Sequence, residues 1–183
     1  MVNNAASAKL SETDRLILEA ATGVRQLTAD ELQRVLDYVA RAGFGATRHE
    51  RAGGRLSGVV WQGRLLRGSD LISSEMVHYL RHAVVQREWP DGTTLAEYLS
   101  SVRRVVTDAA SGVFLSRFHG RHWQVTVVRR SGNLHGPGGH EWVMVEYRVE
   151  TGHWITAFQP ECGLLYITQD QRRQELRWLR RPV

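Results

Sequence analysis

His78 and His82 stand four residues apart in the segment EMVHYLRH. On a helix that spacing points both rings the same way, so the pair can share one ligand or pass one proton. A zincin-type metal site would need a glutamate directly after the first histidine, and Tyr79 is there instead. No carboxylate or third histidine is spaced to complete a site, so neither a metal nor another cofactor is expected. With Met76, Leu80, Ala83 and Val84 as the buried side of the helix, the two rings fall nearly opposite it. They read either as solvated surface histidines or as a general acid and base.

A second group sits in His140–Pro160, HEWVMVEYRVETGHWITAFQP, two strands joined around Thr151-Gly152. Register decides which of its residues share a face. A two-residue turn would need a positive φ at Thr151, which a β-branched residue resists. A three-residue loop over Glu150–Gly152 asks this only of the glycine, so turn chemistry favours it. That register sets Glu146 opposite Thr156, Arg148 opposite Trp154 and Met144 opposite Phe158. Val143, Val145, Tyr147, Val149, Ile155 and Ala157 then form a core side. The other side carries Trp142, Met144, Glu146, Arg148, Trp154, Thr156 and Phe158. In the two-residue register Val149 meets Trp154, Val145 meets Phe158, and Thr156 turns inward.

A carboxylate, a guanidinium and a hydroxyl among aromatics suit phosphodiester chemistry beside stacked bases. Glu146 would move a proton in partnership with His78 or His82. Arg148 and Thr156 would steady a pentacoordinate phosphate, and Trp142 and Trp154 would stack bases. The strand His122–Arg130 alternates in the same way, with Trp123, Val125 and Val127 on one side and His122, Gln124, Thr126 and Arg130 on the other. His122 and Arg130 either extend the substrate surface or belong to a plain solvated strand face.

The elements that must position these groups are legible in outline. The chain has 183 residues, 42% of them hydrophobic and 23% charged, which fits one ordinary domain with a real core. No apolar run approaches the ~20 residues of a membrane span, and the first residues lack a secretory apolar region. Cys162 is the single cysteine, which excludes a disulfide framework and points to a cytoplasmic protein without membrane attachment. The net charge is +5, and Lys9 is the only lysine among 24 basic residues. An arginine-rich balance permits a polyanionic partner, because the planar guanidinium suits phosphate. The same excess also follows from coding bias.

Residues 1–10 read as a loose leader, Ser11–Thr22 as a first helix, and Thr28-Ala-Asp-Glu31 as a capping box opening a second, ended by Gly43. Gly43–Ser57 reads as a flexible connector. Gln62-Gly63 joins a short hairpin, and a third helix runs from Ser73 or Ser74 to about Glu88. Thr94-Leu-Ala-Glu97 caps a fourth. Five strand candidates follow: 113–118, 122–130, 141–150, 153–159 and 164–168. The Gly-rich stretch Ser131–Gly139 beside His135 and His140 reads as a lid or substrate loop. The tail Gln169–Val183 has five arginines against two acids and reads as a short basic helix. The fold class is therefore α+β, with N-terminal helices packed on a mostly antiparallel four- to five-stranded meander. Its parts are a helical extension over 1–56, an α+β core over 57–168 and a basic tail over 169–183, within one compact domain.

The helix DLISSEMVHYLRH, a second helix ending VVTDAASGVF, and closing strands VMVEYR and WITAFQP together resemble the barnase–EndoU–colicin–RelE group of metal-independent ribonucleases, in its phage and polymorphic-toxin branches. The likeness spans about Leu71–Pro160. It implies attack of an RNA 2′-hydroxyl on the adjacent phosphate, with His78 or His82 as the helix histidine, Glu146 and Arg148 as the strand pair, and Thr156 as the last-strand threonine. It implies RNA as partner and a protein inhibitor as another. Two other readings stand beside it: a non-catalytic binding, regulatory or immunity-type module with a basic, aromatic surface, and a mono-ADP-ribosyltransferase. The last rests on Leu65-Leu66-Arg67-Gly68 and lacks that family's Ser-Thr-Ser and Glu-x-Glu elements. Spatial placement separates the first two. A nuclease of this design needs His78 or His82 within reach of Arg148 and Thr156, and a binding module does not.

Overall fold

The computed structural model describes residues 10–183, so the loose leader lies almost wholly outside the described residues. Local side-chain chemistry sets the helix starts. Helix α1 (Glu12–Ala21) is capped by Ser11, whose hydroxyl accepts the Asp14 N–H. Helix α2 (Ala29–Ala42) begins with the capping box of Thr28 and Glu31, and Leu32, Val35, Leu36 and Val39 face the core. Each such cap contributes about 1 kcal/mol.

The stretch after Gly43 is ordered, which corrects the flexible connector. It forms strand β1 (His49–Arg51) and a 3-10 turn over Gly54–Leu56, with Ala52 and Leu56 fully buried. Strands β2 (Val60–Trp61) and β3 (Arg64–Leu65) make the expected hairpin, and β4 (Leu71–Ser73) returns to pair with β1. Helix α3 (Ser74–Tyr79), capped by Ser73, continues as a π-helical turn over Leu80–Val85 and stops short of Glu88. Helix α4 (Leu95–Thr107) opens on the Thr94–Glu97 capping box.

The main sheet is antiparallel and five-stranded. It comprises β5 (Gly112–Phe118), β6 (His122–Arg130), β7 (Trp142–Arg148), β8 (His153–Phe158) and β9 (Arg173–Arg180), in the order β8-β7-β6-β5-β9. Two tail assignments exchange places. The apolar run expected as a strand is helix α5 (Gly163–Thr168), and the expected basic helix is strand β9. An apolar run of five fits either state by periodicity alone. In the tail, Leu176 and Trp178 pack on one side of the sheet and Leu179 on the other, the period-two pattern of a strand.

The first face of the sheet carries Val113, Leu115, Val125, Val127, Val143, Val145, Tyr147 and Ala157, and α1, α2 and α4 pack on it through Ile17, Leu36, Val39, Val102 and Val106. The N-terminal helices thus share one core with the sheet. The second face is apolar only at one end, where Phe114, Val128, Trp142 and Met144 lie under Ile167 of α5.

Asp14 ties the first helix to this core. Its buried carboxylate accepts hydrogen bonds from Tyr147 (2.8 Å), Tyr38 (2.9 Å) and Ser11 (2.7 Å). Burial, followed by the Tyr38 and Asp14 contacts, raises the Tyr147 hydroxyl far above its ordinary titration range. Hydrogen bonds to a charged group contribute roughly 1.5–3 kcal/mol each, and losing the shared acceptor orphans two tyrosine hydroxyls. Asp14→Ala is therefore expected to cost about 3 kcal/mol in urea unfolding, with Asp14→Asn losing less. A loss under 1 kcal/mol would refute the clamp.

Candidate functional site

The β7–β8 hairpin follows the three-residue register for half its length and then departs from it. Met144 pairs with Phe158, Val145 with Ala157 and Glu146 with Thr156, as turn chemistry favours. Between Glu146 and Tyr147 the register shifts, leaving Ile155 as an extra residue. Tyr147 then meets Trp154, and Arg148 meets His153 instead of Trp154. The loop becomes Val149–Gly152, closed by the Gly152 N–H on the Arg148 carbonyl (2.9 Å) with Gly152 at φ 72°.

The bulge has a visible cause. It turns Trp154 from the second face to the first, where its ring packs edge-on against Phe44 (5.3 Å) and its indole N–H donates to the Val39 carbonyl (2.7 Å). Trp154 is 0% exposed, so it belongs to the core and cannot stack a substrate base. Trp142 stays on the second face but is buried against the start of α5, with the Arg130 guanidinium 5.0 Å from its ring. Arg130 also pairs with Glu141. Arg130 and Trp142 sit six residues along the strands from the Gln124–Arg148 pair, roughly 20 Å away. Neither joins the Arg148 group.

His78 and His82 are not solvated. They are 5% and 6% exposed and belong to a ladder of near-parallel rings along the β8 edge. Phe44 stacks on His78 at 4.5 Å, His78 on His82 at 5.9 Å and His82 on Phe158 at 5.4 Å. His82 Nδ1 lies 3.0 Å from Glu88, whose second oxygen accepts the Gln159 N–H (2.6 Å). His78 Nε2 lies 3.9 Å from Glu50, which also accepts from Ser74. The helical wheel missed this because α3 is wedged. Its Tyr79 side meets Trp61 and Tyr98, while its histidine side meets Phe44 and the sheet edge. The expected lid is also a packing element. The Gly136 and Gly138 N–H groups donate to the carbonyls of Glu88 and Arg87, so closely that a Cβ at either glycine would collide with the Trp89 or Gln86 carbonyl.

What the structure does bring together lies at the other end of the second face. Ser116, Gln124 and Arg148 form one cross-strand row, and Thr126, Glu146 and Thr156 the next. Glu146 is 6% exposed and ion-paired with Arg173, which arrives from β9. Arg148 has no carboxylate partner among the described residues, and its Nε is buried without a hydrogen-bond acceptor. It lines a cavity of about 480 Å³ together with Phe118, His119, Arg121 and His122. His119 and Gly120 both have positive φ (51° and 64°), as a primed hairpin turn requires, and His122 Nδ1 lies 3.9 Å from Glu150.

His122, Glu146, Arg148 and Thr156 therefore share the face expected of them, whereas His78, His82, Arg130, Trp142 and Trp154 are engaged elsewhere. Sequence reasoning missed Arg173, His119, Arg121 and Phe118. The turn His119-Gly120 was a readable signal for the last three, since it projects its flanking side chains at the sheet end. Arg67 lies exposed past β3, its N–H on Asp70 (3.0 Å). No protein-family model, curated protein or solved structure matches the chain.

The ladder predicts acid sensitivity. Burial, reinforced by His82, Arg81 and Arg48, holds the His78 imidazole well below its ordinary value of 6.5, against the nearby Glu50. The folded state keeps it neutral while the unfolded chain protonates, so its contribution is complete above about pH 6.5 and is lost as pH falls towards the folded pKa. Urea unfolding is expected to weaken by up to about 1.4 kcal/mol per pH unit below 6.5 on this account. His78→Phe should flatten that part of the profile, and an unchanged slope would refute it.

Proposed function

We propose that this protein binds RNA through phosphate contacts at the Arg148 end of the second sheet face. The unpaired Arg148 guanidinium carries the reading. Nine other arginines among the described residues pair with a carboxylate on the surface or inside, whereas Arg148 faces a cavity lined by Arg121, two histidines and the Phe118 ring. A planar five-donor fork beside further cationic groups is what a phosphodiester accepts, and an aromatic ring beside it offers a stacking surface for a base.

A non-catalytic module is the reading supported best, because the helix histidines are committed to the β8 edge and Glu146 is held by Arg173. Metal-independent cleavage is the second reading, favoured by His119 and His122 lining the same cavity as Arg148. In that chemistry one imidazole removes the 2′-hydroxyl proton and the 2′-oxygen bonds to phosphorus. The bond to the 5′-oxygen then breaks, and the other imidazole protonates the leaving oxygen. Arg148 would neutralise charge on the phosphorane. The ribonuclease resemblance thus keeps its phosphate anchor and changes its proton carriers.

A labelled single-stranded RNA of about 12 nucleotides, titrated in EDTA at several salt concentrations, tests both. Arg148→Ala is expected to weaken binding about tenfold and to reduce the salt slope by nearly one phosphate contact, while Arg130→Ala changes little. RNA bound but intact after prolonged incubation identifies the binding module. RNA cut by the wild type and spared by His122→Ala identifies the nuclease. No binding at low salt ends both.

A further inference from the structure

Next to Arg148, the second sheet face holds three polar side chains that are almost completely buried and unpartnered. Ser116 Oγ, Gln124 Oε1 and Thr126 Oγ1 each lack a hydrogen bond, and their residues are 0%, 1% and 0% exposed. Register makes them a contiguous floor: Ser116 pairs with Gln124, Gln124 with Arg148, and Thr126 follows Gln124 on the same side of β6. Arg173, starting opposite Phe118, reaches across to Glu146 and to the Met144 sulfur, so its side chain roofs this floor. Its Nε and that of Arg148 are also buried without a hydrogen-bond acceptor, Asp170 lying 3.7 Å from the former.

Buried polar groups are nearly always satisfied, and five open ones in one place mark a region that is completed by something bound. The mixture identifies the class. A phosphate offers acceptors only, and the Gln124 carbonyl oxygen would repel it. The Arg148 end already suits phosphate. Gln124 Oε1 asks for a donor, the two hydroxyls donate or accept, and the guanidinium nitrogens donate. A nucleobase edge presents this alternation of donors and acceptors in one plane. Arg148 lies directly across the strand pair from Gln124, about 5 Å away between backbones, which is within the span of a single nucleotide.

We infer that Ser116, Gln124 and Thr126 form a base-reading subsite, which receives the nucleobase of the nucleotide whose phosphate Arg148 holds. The inference rests on the RNA-binding reading. Entry requires the Arg173 side chain to swing off the floor, which a long unbranched stem allows.

Four pentanucleotides of sequence UUNUU, differing only in the central base, test it by equilibrium titration at fixed salt. Wild-type protein is expected to prefer one base at least tenfold over the weakest. Gln124→Met should bring all four within twofold of one another while keeping the wild-type salt slope, and Ser116→Ala should reduce the preference in part. Arg148→Ala should weaken all four alike and preserve their order. Wild-type binding that is equal for the four RNAs would mean the floor holds only water, and would overturn the subsite while leaving RNA binding intact. A preference surviving in a folded Gln124→Met protein would overturn it equally. If none of the four binds, the RNA reading itself falls and the subsite with it.

Discussion

Burial of the Trp154 indole governs how the sheet presents its second face. The ring fills the space between β8, Phe44 and α2, and its N–H reaches the Val39 carbonyl at the same time. An aromatic of that size contributes several kcal/mol when fully buried, far more than the loss of one regular ladder position. The chain therefore accepts a bulge at Ile155, and everything beyond the bulge keeps the register that leaves Glu146 and Thr156 on the second face. Without the bulge, Trp154 and Glu146 would compete for one side of the hairpin. The same edge is then held at both ends, since the Trp154 N–H donates to the Gly43 carbonyl and the Gln159 N–H to the Glu88 carboxylate.

The second face divides into two halves with different physics. At the α5 end, Trp142, Met144, Phe114 and Ile167 form a small dry cluster that closes the sheet. At the turn end, the positions on this face are Ser116, Gln124, Thr126, Glu146 and Arg148, and of these Glu146 is the one with a side-chain partner, Arg173. A buried ion pair is weak support for a fold, because desolvation consumes most of its attraction. An apolar row at these positions would extend the cluster under α5 at no such cost. The polar row is therefore not what holds this end of the sheet together.

Elements with local signatures were legible in the sequence. Both capping boxes, the Gln62-Gly63 turn and the β5-to-β8 meander followed from residues within a few positions of one another. Apart from the periodicity-ambiguous run that became α5, the differences were long-range. That Trp154 would turn towards Val39 depends on a residue more than a hundred positions away. The tail became a strand because β5 had an open edge, which no property of Gln169–Val183 announces by itself. The Arg173–Glu146 pair depends on the tail being a strand, which carries Arg173 across the second face. Of the site, Arg148 and the polar alternation of β6 were readable. The partners of His78 and His82 were not, because a helical wheel assumes one buried side and α3 has two.

The two histidine pairs stand in contrasting surroundings. His78 and His82 are stacked between aromatic rings at an edge that they help to close, and their nitrogens face Glu50 and Glu88 of their own chain. Imidazoles in such a place serve as polar-edged aromatics. His119 instead opens a turn that His122 follows, and it adopts a positive φ without being glycine. A non-glycine residue in that region carries a strain cost that surrounding contacts must offset, and here a backbone bond from the His119 N–H to the Arg172 carbonyl (2.7 Å) holds it. Arg172 directly precedes the arginine that grips Glu146, so one short stretch of β9 and its approach fixes both the turn and the roof of the polar floor. The turn, the roof and the unpaired Arg148 are thus parts of one construction, assembled by a tail whose arginine content first suggested only an exposed basic helix.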